Sequence, residues 1–190
     1  LRSHESPEAN LILMSFLREN NTILVLRTMQ LIGSPQRGLD VAPELVRLAE
    51  GKNKTVALRA LSHLSNWHGG GEHRGEITAM LKRLYASKDE EVALQAAIIS
   101  CYAGDWSGFS RLLDATKSPN KTVALKAIGQ LVDGRYRRRA EQVVPLLIPH
   151  LRTDDLKLLS RTIQTLGSYP GTAEYILPFL QHTDKHIVRR

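Results

Sequence analysis

The sequence predicts an all-α fold, a solenoid of about six helix pairs stacked in chain order. Two observations lead to this prediction: one motif recurs along the chain, and an amphipathic run at helical spacing precedes each of its copies. Composition agrees, because aromatic residues are only 5% of the 190 residues while aliphatic residues are plentiful, which favours a core of packed helices. No stretch shows the strict alternation of a strand.

The recurring motif predicts the second helix of each pair. Residues 53–61 read Asn-Lys-Thr-Val-Ala-Leu-Arg-Ala-Leu, and residues 120–128 repeat them with only two changes. Residues 89–97 keep the Val-Ala-Leu centre, and weaker copies begin at Asn21, Asp155 and Asp184. An aliphatic anchor stands three residues after each Asn or Asp, and consecutive anchors are 32, 36, 31, 35 and 29 residues apart. Two short helices and two turns need about that length.

Each copy begins with a residue suited to cap a helix. Asn and Asp at this place can accept a hydrogen bond from a backbone N–H of the first turn. In the second copy Val56, Ala60 and Leu64 then fall on one helical face. The small residue at its centre, also present as Ala127, lets a neighbouring helix approach closely, so we expect both alanines to be buried.

A second amphipathic run before each motif predicts the first helix of each pair. These runs cover residues 8–18, 39–49, 76–86, 106–116, 140–151 and 172–180. Glycines are expected at the ends of the second helices, at Gly33, Gly69, Gly104, Gly134 and Gly167. The predicted pairs span about 7–34, 39–69, 73–104, 106–134, 138–168 and 171–190. We interpret 1–190 as a single solenoid domain and as an excerpt of a longer protein.

The Asx-x-x-Val-x-x-x-Ala pattern that opens the second helices resembles the HEAT-repeat family, in particular its short prokaryotic-type repeats. The resemblance covers nearly the whole chain and implies a right-handed α-solenoid whose second helices line the inner, concave surface. One departure is that the family often carries Arg directly after the Val anchor. That place holds Val25, Ala57, Ala93, Ala124, Leu159 and Val188.

Cations stand instead three residues after the anchors. The six residues at this place are Arg27, Arg59, Gln95, Lys126, Arg161 and Arg190. Because equivalent places line up along a solenoid, five of the six predict a basic ladder, which by the resemblance borders the concave groove. Such a ladder suits an acidic peptide or a polyanion. The alternative is structural: the side chains cover apolar surface between repeats, with Asp89, Asp155 and Asp184 as partners.

Arg135, Tyr136, Arg137, Arg138 and Arg139 form the densest basic run, on a predicted turn before the fifth pair. Four guanidinium groups around one tyrosine could bind phosphates while the ring stacks on a base. A solvated loop has the same composition, and the sequence leaves both interpretations open.

No pattern for catalysis or for a cofactor is present. The sequence has no glycine-rich phosphate loop, no Gly-x-Ser-x-Gly elbow and no paired catalytic carboxylates. His68, Glu72 and His73 surround a glycine-rich connector, but their spacing matches no established metal site. Cys101 lies in an apolar run, which is typical of a small buried side chain. We therefore predict no catalytic residue, no metal and no cofactor.

The function that fits these features is a non-catalytic scaffold that mediates protein–protein interaction through its concave face. A formal charge of +7 favours an acidic partner. Two alternatives stay open: a nucleic-acid-binding HEAT-like domain, related to the HEAT-like DNA glycosylases, and a structural spacer within a multidomain enzyme.

Overall fold

The computed structural model describes residues 7–32, 40–65 and 72–181. Its α-helices are α1 (Pro7–Leu17), α2 (Thr22–Ile32), α3 (Ala42–Ala49), α4 (Lys54–Leu64), α5 (Arg74–Leu84), α6 (Glu90–Tyr102), α7 (Phe109–Ala115), α8 (Lys121–Gln130), α9 (Ala140–Leu147), α10 (Leu156–Leu166) and α11 (Ala173–Ile176). Short 3₁₀ helices cover Trp106–Gly108, Gly134–Arg139, Ile148–Arg152 and Leu177–Gln181. Within the described ranges no strand is formed.

The chain divides into two compact units, Leu1–Gly108 and Phe109–Arg190, which we call unit 1 and unit 2. Unit 1 holds the pairs α1/α2, α3/α4 and α5/α6. Its second helices are in contact in chain order, α2 with α4 and α4 with α6. The core of unit 1 is aliphatic and includes Leu17, Met29, Leu61, Met80 and Ile99.

Unit 2 holds the pairs α7/α8 and α9/α10, which α11 follows. Helix α10 packs on α8, the second helix of the preceding pair, and also on α9. Aromatic residues contribute to its interior, because Tyr136 and Tyr169 are buried and the Tyr136 ring stacks on Phe109 at 5.9 Å between centroids. Unit 2 therefore has the same pair-on-pair arrangement with a less uniformly aliphatic interior.

The predicted N-caps within the described residues are confirmed. Asn21, Asn53, Asp89, Asn120 and Asp155 each accept a hydrogen bond from a backbone N–H of the first helical turn. Four of them have the extended backbone of a capping residue, with ψ between 101° and 109°. Asp184 lies outside the described residues. A cap of this kind stabilises a helix by about 1 kcal/mol.

The small residues at the centres of the second helices are buried as predicted. Ala60 and Ala127 are both 0% exposed. Cys101 is 1% exposed and behaves as a buried apolar side chain. A helix that meets its neighbours through such small side chains has no room for a larger or charged one.

The first helices are less regular than the sequence suggests. The run predicted over 140–151 is a continuous α-helix only to Leu147 and continues as a 3₁₀ helix, because Pro145 and Pro149 supply no backbone N–H. The run over 106–116 begins as a 3₁₀ helix that comes very close to α6. A methyl group on Gly108 would lie 2.9 Å from the Ala97 Cα, so this approach requires glycine.

Of the glycines predicted at helix ends, three lie in described residues. Gly104 follows α6 with a φ of 81°, the left-handed conformation that ends a helix. Gly167 follows α10 with an ordinary φ of −60°. Gly134 was predicted wrongly, because α8 already ends at Gln130 and Gly134 begins a 3₁₀ helix that Asp133 caps.

Candidate protein-binding face

Two exposed arginines stand on neighbouring second helices of unit 1. Arg27 lies on α2 and Arg59 lies on α4, and both side chains are exposed. Neither makes a hydrogen bond or an ion pair with another described residue. The charge of each guanidinium is therefore available to a partner molecule.

The helices that carry these arginines have no acidic residue. The sequence of α2 is TILVLRTMQLI and that of α4 is KTVALRALSHL. The exposed positions of α4 are Lys54, Thr55, Arg59 and Ser62. We call the exposed sides of α2 and α4 the α2–α4 face; its own charges are positive and its other side chains are hydroxyl, amide or aliphatic groups.

The ladder is interrupted at the third pair. Gln95 takes the equivalent place on α6, where it is half-buried. Nine of the thirteen residues of α6 are buried, which is typical of an interior helix and not of a ligand face.

In unit 2 the equivalent cations are more closely packed. Lys126 on α8 is half-buried and Arg161 on α10 is exposed. The Arg161 side chain runs along α8, where a methyl group on Gly129 would lie 3.4 to 3.5 Å from its Cδ, Nε and Cζ atoms. Its guanidinium also donates to the Gln164 Oε1 at 3.4 Å. Arg161 thus covers the preceding repeat, as the structural interpretation of the ladder describes.

The residue under the arginine accounts for this difference. Gly129 stands six residues after its anchor, and the same place on α2 is Gln30. A glycine leaves room for a guanidinium stem on the helix surface, whereas a glutamine side chain fills that room. Arg59 follows Gln30 by one repeat and therefore has no glycine at the place that Arg161 packs on. Arg190 lies outside the described residues.

The cap aspartates have partners other than the ladder cations. Lys54 Nζ lies 3.2 Å from Asp89 Oδ2 and 3.1 Å from Glu91 Oε1, and Lys121 pairs with Asp155. The lysine directly after one cap therefore binds the cap of the next repeat. The proposed pairing of Asp89 and Asp155 with ladder arginines was wrong, because these nearer lysines occupy the carboxylates.

These pairings shift the pKa values of the groups involved. The Lys121 ammonium and the Leu158 N–H hold the pKa of Asp155 below its ordinary value. Burial raises the pKa of Asp89, but the Val92 N–H and the Lys54 ammonium outweigh it and the pKa is lowered. Both carboxylates are therefore charged at neutral pH and hold the adjacent repeats together.

The basic run at the start of the fifth pair is partly built into unit 2. Tyr136 is 0% exposed, so its ring is not presented to a nucleic-acid base in this structure. Arg135 donates to Asp133 at 3.0 Å, and the Arg139 guanidinium lies 4.9 Å from the Phe109 ring centroid. Arg137 and Arg138 are the exposed members of the run.

The histidine considered as a metal ligand serves a structural contact. His73 Nε2 lies 2.7 Å from Asp40 Oδ2, and its Nδ1 lies 3.3 Å from Glu76 Oε2. The Asp40 carboxylate, and then Glu76, raise the pKa of His73 above its ordinary value. His68 lies outside the described residues, and within those residues no group of three His, Cys, Asp or Glu is placed to hold a metal ion.

A cleft that the sequence did not predict lies between the first two pairs. It has a volume of about 240 Å³, and its lining includes Arg47, Lys52, the cap Asn53 and Thr22, which follows the cap Asn21. Lys52 is exposed beside the N-terminus of α4. The part of the sequence that could have indicated this cleft is the Gly-Lys-Asn turn before α4, which the repeat pattern predicts only as a connector.

Comparison with known proteins identifies the fold but no family. Neither a family model nor a curated protein matches the sequence. Among solved structures, an engineered protein is similar over 96% of this chain with a TM-score of 0.61 and 17% identity, and the chain spans 56% of its length. A designed armadillo repeat protein in complex with the peptide (KR)4 is similar over 94% of both chains, with a TM-score of 0.65 and 14% identity.

The chain has a helical-repeat solenoid fold. A second engineered protein gives the same result, with a TM-score of 0.63 over 95% of this chain at 16% identity. The all-α solenoid predicted from the sequence is therefore confirmed. Helices long and apolar enough to cross a membrane do not occur in the described ranges.

Proposed function

We propose that this chain is a non-catalytic helical-repeat scaffold of the HEAT type that binds an acidic segment of a protein partner. The α2–α4 face of unit 1 is the binding surface, which the resemblance places on the concave side. The observation that supports this proposal is that Arg27 and Arg59 are exposed and without partners among the described residues. They lie on two adjacent helices that contain no acidic residue.

The charge of this face selects the partner. A carboxylate bound between two exposed guanidinium groups gains charge-assisted hydrogen bonds without displacing an existing ion pair. The designed armadillo protein with a similar fold binds the basic peptide (KR)4, which suggests that such a fold can hold an extended peptide. Since the charge of the α2–α4 face is positive, we expect the opposite peptide charge here.

The experiment measures binding of a fluorescent peptide (DE)4, the charge-reversed counterpart of (KR)4, by anisotropy at low salt. Replacing Arg27 and Arg59 together by Gln weakens binding about tenfold, which corresponds to about 1.4 kcal/mol for two exposed charge pairs. The matched control is Arg161→Gln, which removes the same charge from a side chain packed on Gly129 and leaves the affinity within about twofold.

Three results would contradict the proposal. They are no binding of (DE)4 by the wild-type chain, equal loss in the Arg161 control, and binding that persists in the double variant. Raising the salt concentration weakens a surface interaction of this kind in every case, so salt dependence alone does not distinguish the face.

Nucleic-acid binding is the second candidate, favoured by the exposed Arg137 and Arg138. A labelled single-stranded oligonucleotide in the same assay separates the two. Binding that responds to Arg137→Gln and Arg138→Gln, but not to the Arg27 and Arg59 substitutions, would move the function from the α2–α4 face to this turn of unit 2.

A further inference from the structure

The first helix pair exposes more aliphatic surface than the pairs that follow it in unit 1. Leu11 is 71% exposed, Ile12 53% and Leu31 70%. Phe16 is 36% exposed. Exposed positions of α4 and α5, by contrast, hold mainly charged, hydroxyl or small side chains. We call Leu11, Ile12, Phe16 and Leu31 the leading face of this pair.

Two of the equivalent places in the second pair, those of Ile12 and Phe16, are buried, and one of them contacts the pair before it. Ile12 stands nine residues before its cap, and Glu44 stands nine residues before Asn53. Glu44 is 7% exposed, and its Oε1 accepts from the Nε of Arg18, a residue of the first pair, at 2.6 Å. Leu48, the equivalent of Phe16, is only 7% exposed.

Second helices show the same correspondence. The equivalents of Leu31, seven residues after the anchor, include Ile99 and Thr165. Ile99 is 1% exposed, and Thr165 is 0% exposed with its hydroxyl 3.0 Å from the Ile128 carbonyl oxygen of the preceding second helix. In unit 2 the place of Leu31 is thus one through which a second helix meets its predecessor, and the equivalent residue of the second pair, His63, is half-buried.

We infer that the leading face of the first pair is a stacking face that takes the trailing side of another helix pair of the same repeat type. The inference rests on these exposed apolar residues and not on Arg27 and Arg59. The occupant is specified by equivalence, because Glu44 and Leu48, which correspond to Ile12 and Phe16, are buried in the second pair and Glu44 is bound by Arg18 of the pair before it. A pair that ended the stack would carry polar side chains on this side, as terminal repeats of solenoids do.

The test adds such a helix pair to the chain by a covalent fusion. A copy of residues 1–39, which contains one helix pair and its connector, is joined in front of Leu1 of the full chain. Stacking then places the Arg18 of the added copy opposite Ile12 of the original pair. We expect amide hydrogen exchange in the original α1 and α2 to slow by about tenfold relative to the chain without the copy.

Two substitutions at one position decide whether the contact is the proposed one. In the extended chain, Ile12→Glu restores the residue that the second pair uses to bind Arg18 and keeps the slower exchange. Ile12→Lys places a like charge opposite Arg18 and abolishes the slower exchange. Leu31→Glu also abolishes the slower exchange, while Thr55→Glu, at an exposed place of α4, leaves it unchanged.

The same substitutions in the chain without the copy act as a folding control. Ile12 and Leu31 are exposed there, so each variant melts within about 2 °C of the wild type. Equal exchange in the Glu and Lys variants, or no slowing in the extended chain, overturns the inference. So does a concentration-dependent dimer of the unextended chain in which two leading faces meet and which Leu31→Glu dissociates, since the occupant would then be a second leading face and not the trailing side of a helix pair.

Discussion

The helix pairs of unit 1 share an aliphatic core, and ion pairs at the surface also link them. Arg18 binds Glu44 at 2.6 Å across the first and second pairs, and Arg83 binds Glu50 at 2.6 Å across the second and third. The arginines are 65% and 58% exposed. Because solvent screens the arginine side of each pair, we expect each to contribute about 1 kcal/mol or less and mainly to fix the register of one pair on the next.

The pairs of unit 2 also have a surface ion pair, Lys121–Asp155, and in addition buried neutral hydrogen bonds join them. The Tyr169 hydroxyl donates to the Leu131 carbonyl oxygen at 2.7 Å, and the Thr165 hydroxyl lies 3.0 Å from the Ile128 carbonyl oxygen. Burial raises the pKa of Tyr169, which keeps the phenol protonated and able to donate. Removing such a donor leaves a buried carbonyl group without its partner, which costs more than losing an exposed ion pair.

The difference shows how one repeat pattern can serve two purposes. In unit 2, where buried hydrogen bonds link the repeats and Gly129 leaves space on α8, the Arg161 side chain packs on the preceding repeat. Where surface charges set the register, as in unit 1, Arg27 and Arg59 remain available to a ligand. A ladder that looks uniform in sequence is therefore divided by its surroundings into structural and available cations.

The largest expected effect is common to both units and tests the shared core. Ala60→Asp in unit 1 and Ala127→Asp in unit 2 each bury a charge without a partner, because both positions are 0% exposed. We expect each to lower the free energy of unfolding by about 4 kcal/mol or more. Circular dichroism gives the melting temperature, and hydrogen exchange assigns the loss to the unit that carries the change.

Thr55→Asp is the matched control, since Thr55 is exposed on the same helix as Ala60. It leaves the melting temperature nearly unchanged. Unchanged melting of both alanine variants would contradict the placement of these residues between stacked helices.

A smaller effect distinguishes the two kinds of link. Tyr169→Phe removes the buried hydroxyl of unit 2 while the ring remains, and we expect a loss of about 1–2 kcal/mol because the Leu131 carbonyl oxygen stays buried. Urea unfolding measures the loss, which should not change with added salt, since no charge is involved.

Glu44→Gln is the corresponding change in unit 1. Burial raises the pKa of Glu44, but Arg47 and Arg18 outweigh it and lower the pKa, so the side chain is a carboxylate at neutral pH. The expected loss is below about 1 kcal/mol and shrinks as salt is added. A larger loss for Glu44→Gln than for Tyr169→Phe would reverse the comparison between the units.

The repeat pattern in the sequence was enough to predict the helices, the caps and the buried alanines. Each depends on residues within one turn or one helical face, such as Asn53 with Val56. Contacts between repeats were not predictable, since they depend on which side chain comes opposite which. Thus the partner of Asp89 was missed although Lys54 stands directly after a recognised cap. The burial of Tyr136 was missed because its neighbours in sequence are all arginines.

The smallest expected effect concerns pH and unit 1. The carboxylates of Asp40 and Glu76 raise the pKa of His73 above 6.5 in the folded state. A raised folded pKa means that the contribution of His73 to stability is fully present below 6.5 and is lost as the pH rises through the folded value. The urea midpoint of unit 1, followed by hydrogen exchange in α5, should therefore fall as the pH rises above 6.5 and through the raised folded pKa of His73. His73→Gln should remove that fall while leaving the midpoint of unit 2 unchanged. A fall of the same size in the variant would mean that another group titrates.

Because His73 contacts Asp40 across the second and third pairs, the result also shows whether the ion pairs between the helix pairs of unit 1 respond to pH. The Tyr169 hydroxyl of unit 2, by contrast, stays protonated throughout.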